Sequence, residues 1–219
     1  MKKNKPLRVL PLDAGPLPTN CYLVHREGHS PCAVIDPGGD ADRIAQTLRR
    51  EALEPSIFLI THGHYDHVGG LAELAGLYPS AEIACHAECG RRMKDPEKNF
   101  SALFGIPLAA PEAGRTLSHG EEIRLPGVRL LAIHVPGHAP GHLAFYAPED
   151  GVLFAGDVLF REGVGRTDLP GSSWEALRQS LSEQILVLPE ETLVYPGHGP
   201  ATTIGHEKRH NPFLTDLFA

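Results

Sequence analysis

No apolar run in the 219-residue chain approaches the length needed to cross a bilayer, which takes about 20 consecutive residues. No block of basic residues is present either, and the formal net charge is −7, so the phosphate backbone of a nucleic acid is not an expected partner. The four cysteines, Cys21, Cys32, Cys85 and Cys89, form no C-x-x-C pair. Three of them sit in apolar, strand-like runs and read as buried reduced thiols, which implies a cytoplasmic setting. Cys85-His86 with Cys89 lacks the second ligand pair of a soft-metal site. The basic start Met1-Lys2-Lys3-Asn4-Lys5 leads into Leu7-Arg8-Val9-Leu10-Pro11-Leu12-Asp13, which alternates and breaks. That stretch has neither the apolar core nor the cleavage site of a signal peptide, and reads as a first strand.

What is present is a chain with 42% hydrophobic residues, 23 glycines and 20 prolines, the composition of a soluble globular protein built from short elements with tight connections. Leu7 to Asp13, Asn20 to His25 and Cys32 to Ile35 are predicted strands of an antiparallel opening, stopped by Asp36-Pro37-Gly38-Gly39. Asp40 to Ala52 carries Ala41, Ile44, Ala45 and Leu48 at helical spacing, the pattern of an outer helix on a sheet. A strand over 57–60, a helix to about Leu77, a short strand over Ala81 to Ala84 and a helix over His86 to Met93 follow. Between Lys94 and Gly114 the periodicity fails, and Phe100 and Phe104 there could wall a substrate pocket or pack a satellite core. The second half repeats the logic: strands at 123–125, 128–135, 142–146 and 152–157, an amphipathic helix over Ser173 to Leu188, and a last strand over Thr192 to Tyr195.

The densest chemistry is Thr61-His62-Gly63-His64-Tyr65-Asp66-His67-Val68-Gly69-Gly70, directly after the apolar run Ile57 to Ile60. If the chain stays extended past Ile60, His62 and His64 point to one side and can close on one ion. Asp66 and His67 then fall where a helix begins, with Asp66 as its cap, and Gly69-Gly70 let that helix pack close to the sheet. Three more ligand-type residues, His138, Asp157 and His198, stand at predicted strand ends, where loops build sites. His142 is expected to support the His138 loop and His134 to be a packed residue. The remaining histidines read as surface or structural.

His62-x-His64-x-Asp66-His67, followed in order by His138, Asp157 and His198, resembles the metallo-β-lactamase superfamily over nearly the whole chain. The resemblance implies one domain over 1–219, a four-layer αββα sandwich of two mixed sheets, with a metal cleft at one edge. It also implies two divalent metal ions: His62, His64 and His138 on one, Asp66, His67 and His198 on the other, and Asp157 bridging. A carboxylate suits the bridge because it has two anionic oxygens for ions about 3.5–4 Å apart. All seven ligands are N or O donors, which suits zinc, iron or manganese alike; zinc is the expected ion, with iron or manganese as alternatives.

Phe154 to Phe160, Gly165-Arg166-Thr167-Asp168, and Pro196 to Pro200 with His210-Asn211-Pro212-Phe213-Leu214 resemble the small glyoxalase II-like hydrolases. This implies a thioesterase acting on a small-molecule thioester of the S-D-lactoylglutathione type, in which a metal-bridging hydroxide, oriented by Asp66, attacks the carbonyl. Only about twenty residues follow His198, so the helical glutathione-gripping domain of the two-domain enzymes is not expected. Arg166 is the candidate grip for a substrate carboxylate, with an ion pair to Asp168 as the alternative role. The persulfide dioxygenases also resemble this chain and share the Gly-Arg-Thr-Asp segment; that resemblance implies one iron on His62, His138 and Asp157. Asp157 stands where β-lactam-cleaving relatives commonly carry cysteine, an argument against β-lactam hydrolysis.

Overall fold

A computed structural model describes residues 5–214. The basic start Met1 to Asn4 and residues 215–219, parts of the 1–219 domain expected above, lie outside the described residues. The first sheet runs β1 (Leu7–Ala14), β2 (Thr19–Arg26), β3 (Pro31–Ile35), β4 (Glu54–Leu59), β5 (Glu82–Cys85) and β6 (Arg115–Thr116), in that spatial order. It opens antiparallel through β3, as the turn-rich sequence predicts, and continues parallel. Parallel strands need crossovers, supplied by α1 (Ala41–Arg50) and by α2 (Tyr65–Val68) with α3 (Leu71–Leu77); α4 (Ala87–Met93) follows β5.

The second sheet is built from β7 (Glu122–Leu125), β8 (Val128–His134), β9 (Leu143–Ala147) and β10 (Val152–Gly156); a ribbon of β11 (Leu159–Phe160) and β12 (Gly163–Val164) stands apart. After α5 (Trp174–Ser180), β13 (Leu193–Pro196) adds parallel to β10, and β14 (Thr202–Thr203) closes the edge before α6 (Ile204–His210).

Strand alternation sorts side chains between layers. On β2, Tyr22 and Val24 face the second sheet and join Leu130, Phe145 and Phe154, whereas Cys21 and Leu23 face outward onto Ile44 and Leu48 of α1. The outer face of the second sheet is covered by Leu177, Leu181 and Ile185 around α5, with Ile204 of α6. The result is the four-layer αββα sandwich of two mixed sheets. All four cysteines are buried and unbridged.

Several expectations need correction. Thr192 to Tyr195 does not end the fold, since β14 and α6 follow, the latter capped by the Thr203 hydroxyl accepting from His206 N. The helix expected over Ser173 to Leu188 is an α-helix only to Ser180, capped by Ser173, and continues as a π turn over Leu181–Ile185; Trp174 at its start is exposed. Asp66 is not a cap: His64 holds the N-cap position of α2 and Asp66 lies inside its first turn. Gly69 and Gly70 pack on the Gly38-Gly39 backbone rather than on the sheet, for a Cβ at Gly69 would stand 2.4 Å from Gly38 O.

Candidate metal centre

Every loop that brings a candidate ligand leaves the same edge of the sandwich. His62, His64, Asp66 and His67 follow β4, His138 lies between β8 and β9, Asp157 follows β10, and His198 follows β13. Cross-sheet hydrogen bonds hold the edges in register: Asn20 N to Gly197 O (2.7 Å), Leu143 N to Thr61 O (2.8 Å) and Tyr22 OH to Pro196 O (2.6 Å). Gly197 is obligatory here, because a Cβ would lie 2.1 Å from Asp157 Oδ1 and 2.8 Å from His67 Cε1.

The structure brings all seven residues together. Three groups have ligand atoms within 4.8 Å of one another: His62, His64 and His138; His62, His67 and Asp157; and Asp66, His67 and His198. Six of the seven are buried, and His198 is partly exposed. His64 Nδ1 lies 3.0 Å from His62 Nε2 and 3.1 Å from His138 Nε2. Asp157 approaches His67 Nε2 at 3.4 Å, His198 Nε2 at 3.5 Å and His138 Nε2 at 3.6 Å.

The outward ring nitrogens decide what the inward ones present. His138 Nδ1 meets Arg166 O at 2.9 Å and His198 Nδ1 meets Pro18 O at 2.8 Å. A carbonyl only accepts, so each Nδ1 carries the proton and each Nε2 offers a lone pair. His67 Nδ1 donates in the same way to Asp36 Oδ2 at 2.9 Å. Thr61 Oγ1 donates to Asp36 Oδ2 (2.6 Å) and so accepts from His62 Nδ1 (3.0 Å). His62, His64 and His138 therefore aim three nitrogens at one point, a set that one proton cannot satisfy and one cation can. Nearby, His67 Nε2 and Asp157 Oδ1 are buried with no hydrogen-bond partner, which a native structure rarely tolerates. The donor set fits divalent metal ions.

The electrostatics agree. Burial holds His62 and His138 below the ordinary imidazole value, and His64 at about 3, so these rings stay neutral and able to ligate. For His67 burial works against charge, but Asp157, Asp66 and Asp36 outweigh it and raise its pKa well above normal. Burial likewise opposes charge on Asp157, yet His67 above all, with His138 and His198, holds it far below the carboxylate range. Positive charge is favoured beside the carboxylates, at His67, and disfavoured on His62, His64 and His138.

Asp36 escaped the sequence reading, which took it for a strand stop. It accepts from Thr61 N (2.8 Å), Thr61 Oγ1 and His67 Nδ1, from a left-handed backbone (φ 49°). The available signal was its position: like Asp157, it is a carboxylate directly after a buried apolar strand. His142 closes the His138 loop through its carbonyl, which accepts from Val135 N at 2.9 Å, and its ring does more than expected, stacking on His62 at 4.8 Å while its Nε2 accepts from Asp157 N at 3.1 Å. His134 is packed, stacked on His86 at 4.5 Å. Arg166 lines the cleft with its guanidinium in a two-pronged pair with Asp168 (2.7 and 2.8 Å), the alternative role left open above. Phe100 and Phe104 belong to the cleft wall, Phe100 against His64 at 5.0 Å.

Fold and site together define a metallo-hydrolase, and the chain belongs to the metallo-β-lactamase superfamily, whose pattern its residues 14–198 match. It is 37% identical to the hydroxyacylglutathione hydrolase GloC of Haemophilus influenzae, over 95% of this chain and 97% of that one. Among solved structures, the BLEG-1 B3 metallo-beta-lactamase superposes with a TM-score of 0.90 at 37% identity, covering 95% of this chain and 100% of that one. TTHA1623 in a di-iron-bound form gives 0.81 at 40% identity, covering 94% and 100%. Among the described residues no helix is long and apolar enough to cross a membrane.

Proposed function

We propose that the protein is a thioesterase for small-molecule thioesters, of the glyoxalase II type, working with two divalent ions. His62, His64 and His138 hold one ion, Asp66, His67 and His198 the other, and Asp157 both. The observation that carries this reading is the convergence of three ring nitrogens, from His62, His64 and His138, beside His67 Nε2 and Asp157 Oδ1, which are buried 3.4 Å apart without a hydrogen bond. Zinc is the first candidate; the di-iron relative supports iron as the alternative.

Bound divalent ions would supply an acidified water and stabilisation of the developing oxyanion. The chain's own groups do the rest. Asp66 Oδ2, which lies 3.2 Å from His198 Nε2 and 3.4 Å from Thr19 Oγ1, is placed to orient the nucleophile and accept its proton. Arg166 contributes its carbonyl, which fixes His138. No residue is needed to protonate the leaving group, because a thiolate whose conjugate pKa is about 8.5 leaves readily. The resemblance to GloC supports a thioester over an amide.

The test is a panel on metal-analysed protein: S-D-lactoylglutathione and simple thioesters, a chromogenic β-lactam on the strength of BLEG-1, and oxygen uptake with glutathione persulfide. Thioester cleavage leading the panel is the expected result. Oxygen uptake without thioester cleavage would overturn it in favour of the dioxygenase.

A further inference from the structure

Beside the candidate ligands opens a cavity of about 640 Å³, within the range of small-molecule sites. Its floor is polar and its walls are not: Leu17, Phe100, Leu103, Phe104, Phe160 and Val164 face it. Three of these, Leu103 (74% exposed), Phe104 (53%) and Leu17 (40%), are among the eight large hydrophobic side chains exposed over the described residues. Scattered exposure of this kind needs no explanation, but a cluster at one mouth marks a binding surface.

The wall is built. Buried Asn99 donates to Met93 O (3.1 Å) and Leu108 O (2.8 Å), accepts from Ser101 N (2.9 Å), and its carbonyl accepts from Tyr65 N (2.9 Å). These bonds fix Phe100 in a left-handed conformation (φ 69°) against His64, and Phe104 packs at a tilt against Tyr65, ring centroids 4.8 Å apart. Charge tells the same story. Apart from the candidate ligands, the only charged lining residue among the described residues is Arg166, whose guanidinium is paired with Asp168. Along this wall, away from the ion-binding floor, a carboxylate-bearing arm would have to compete with Asp168 for Arg166.

Resting on the thioesterase reading, we propose that the preferred substrates carry, on one side of the scissile bond, an uncharged aliphatic or aryl arm seated on this wall, rather than a charged peptide arm. The test uses the metal-loaded protein and two series: N-acetylcysteamine thioesters with acyl chains from acetyl to octanoyl, and acetyl thioesters of alkyl thiols of rising length. kcat/KM should rise by about two- to fourfold per methylene in one series, fourfold being the gain from full burial. The exposed-residue variants Leu103→Ser and Phe104→Ser should flatten that slope, and Val187→Ser, elsewhere on the surface, should not. Calorimetric binding of uncleavable S-alkyl thioethers gives an independent readout. Length-graded binding without cleavage of any thioester would refute the thioesterase reading and keep the apolar arm. Flat series in both assays, or S-D-lactoylglutathione preferred over every neutral thioester, would overturn the proposal.

Discussion

Asp157 is the residue proposed to join the two ion sites. Its carboxylate lies within 3.6 Å of His138 from one set and of His67 and His198 from the other, so it can share its charge between them. Asp157→Ala is expected to lose both ions and all activity while remaining folded, as read by metal analysis after dialysis and by circular dichroism. Asp36 acts one step back, through His67 and Thr61. Asp36→Asn keeps the volume but puts an amide where His67 Nδ1 needs an acceptor; metal affinity should fall about 10–100-fold, measured by competition with a chelating dye. A change in melting temperature with unchanged affinity would mean the residue is only structural. The contrast between the two shows what spacing can and cannot reveal. His62, His64, Asp66 and His67 lie within six residues and announce themselves. The partnership of Asp36 with His67 spans 31 positions and exists only once β3 and β4 lie side by side.

Elements were legible where one periodicity ran unbroken. The apolar faces of α1 and the strands flanking the site follow directly from alternation or helical spacing, because burial on one side dictates side-chain type. The π turn after α5, the two-residue β14 and the true partner of Gly69-Gly70 were not legible, since each depends on backbone approach from elsewhere in the chain. Gly197 belongs to the same class: the sequence presents it as a turn glycine, and the structure shows it making room for Asp157 beneath the β13 loop. Gly197→Ala should therefore push the carboxylate aside. Lowered metal occupancy and at least tenfold lower turnover are expected, with the fold retained; wild-type occupancy would show that the loop yields without cost.

Across the whole molecule the two sheets must stay in register, or ligands from four loops would not meet. Besides the core between the sheets, Arg26 on β2 ties them at the far end. It reaches Asp150 in the turn before β10 through two bonds of 2.6 and 2.7 Å and also donates to Gly127 O at 2.7 Å. Removing one partner of a part-buried pair leaves the other without its charge-assisted bonds. Arg26→Ala should cost about 1–3 kcal/mol in urea denaturation, with little effect on metal affinity, because the pair lies away from the cleft.

The decisive measurement is metal stoichiometry and thioester turnover on a single preparation, stripped with chelator and then titrated in turn with zinc, Fe²⁺ and Mn²⁺. Saturation at two ions per chain, with turnover absent from the stripped protein and appearing as the sites fill, is the predicted result. Saturation at one ion or none, or turnover that survives complete stripping, would contradict the account.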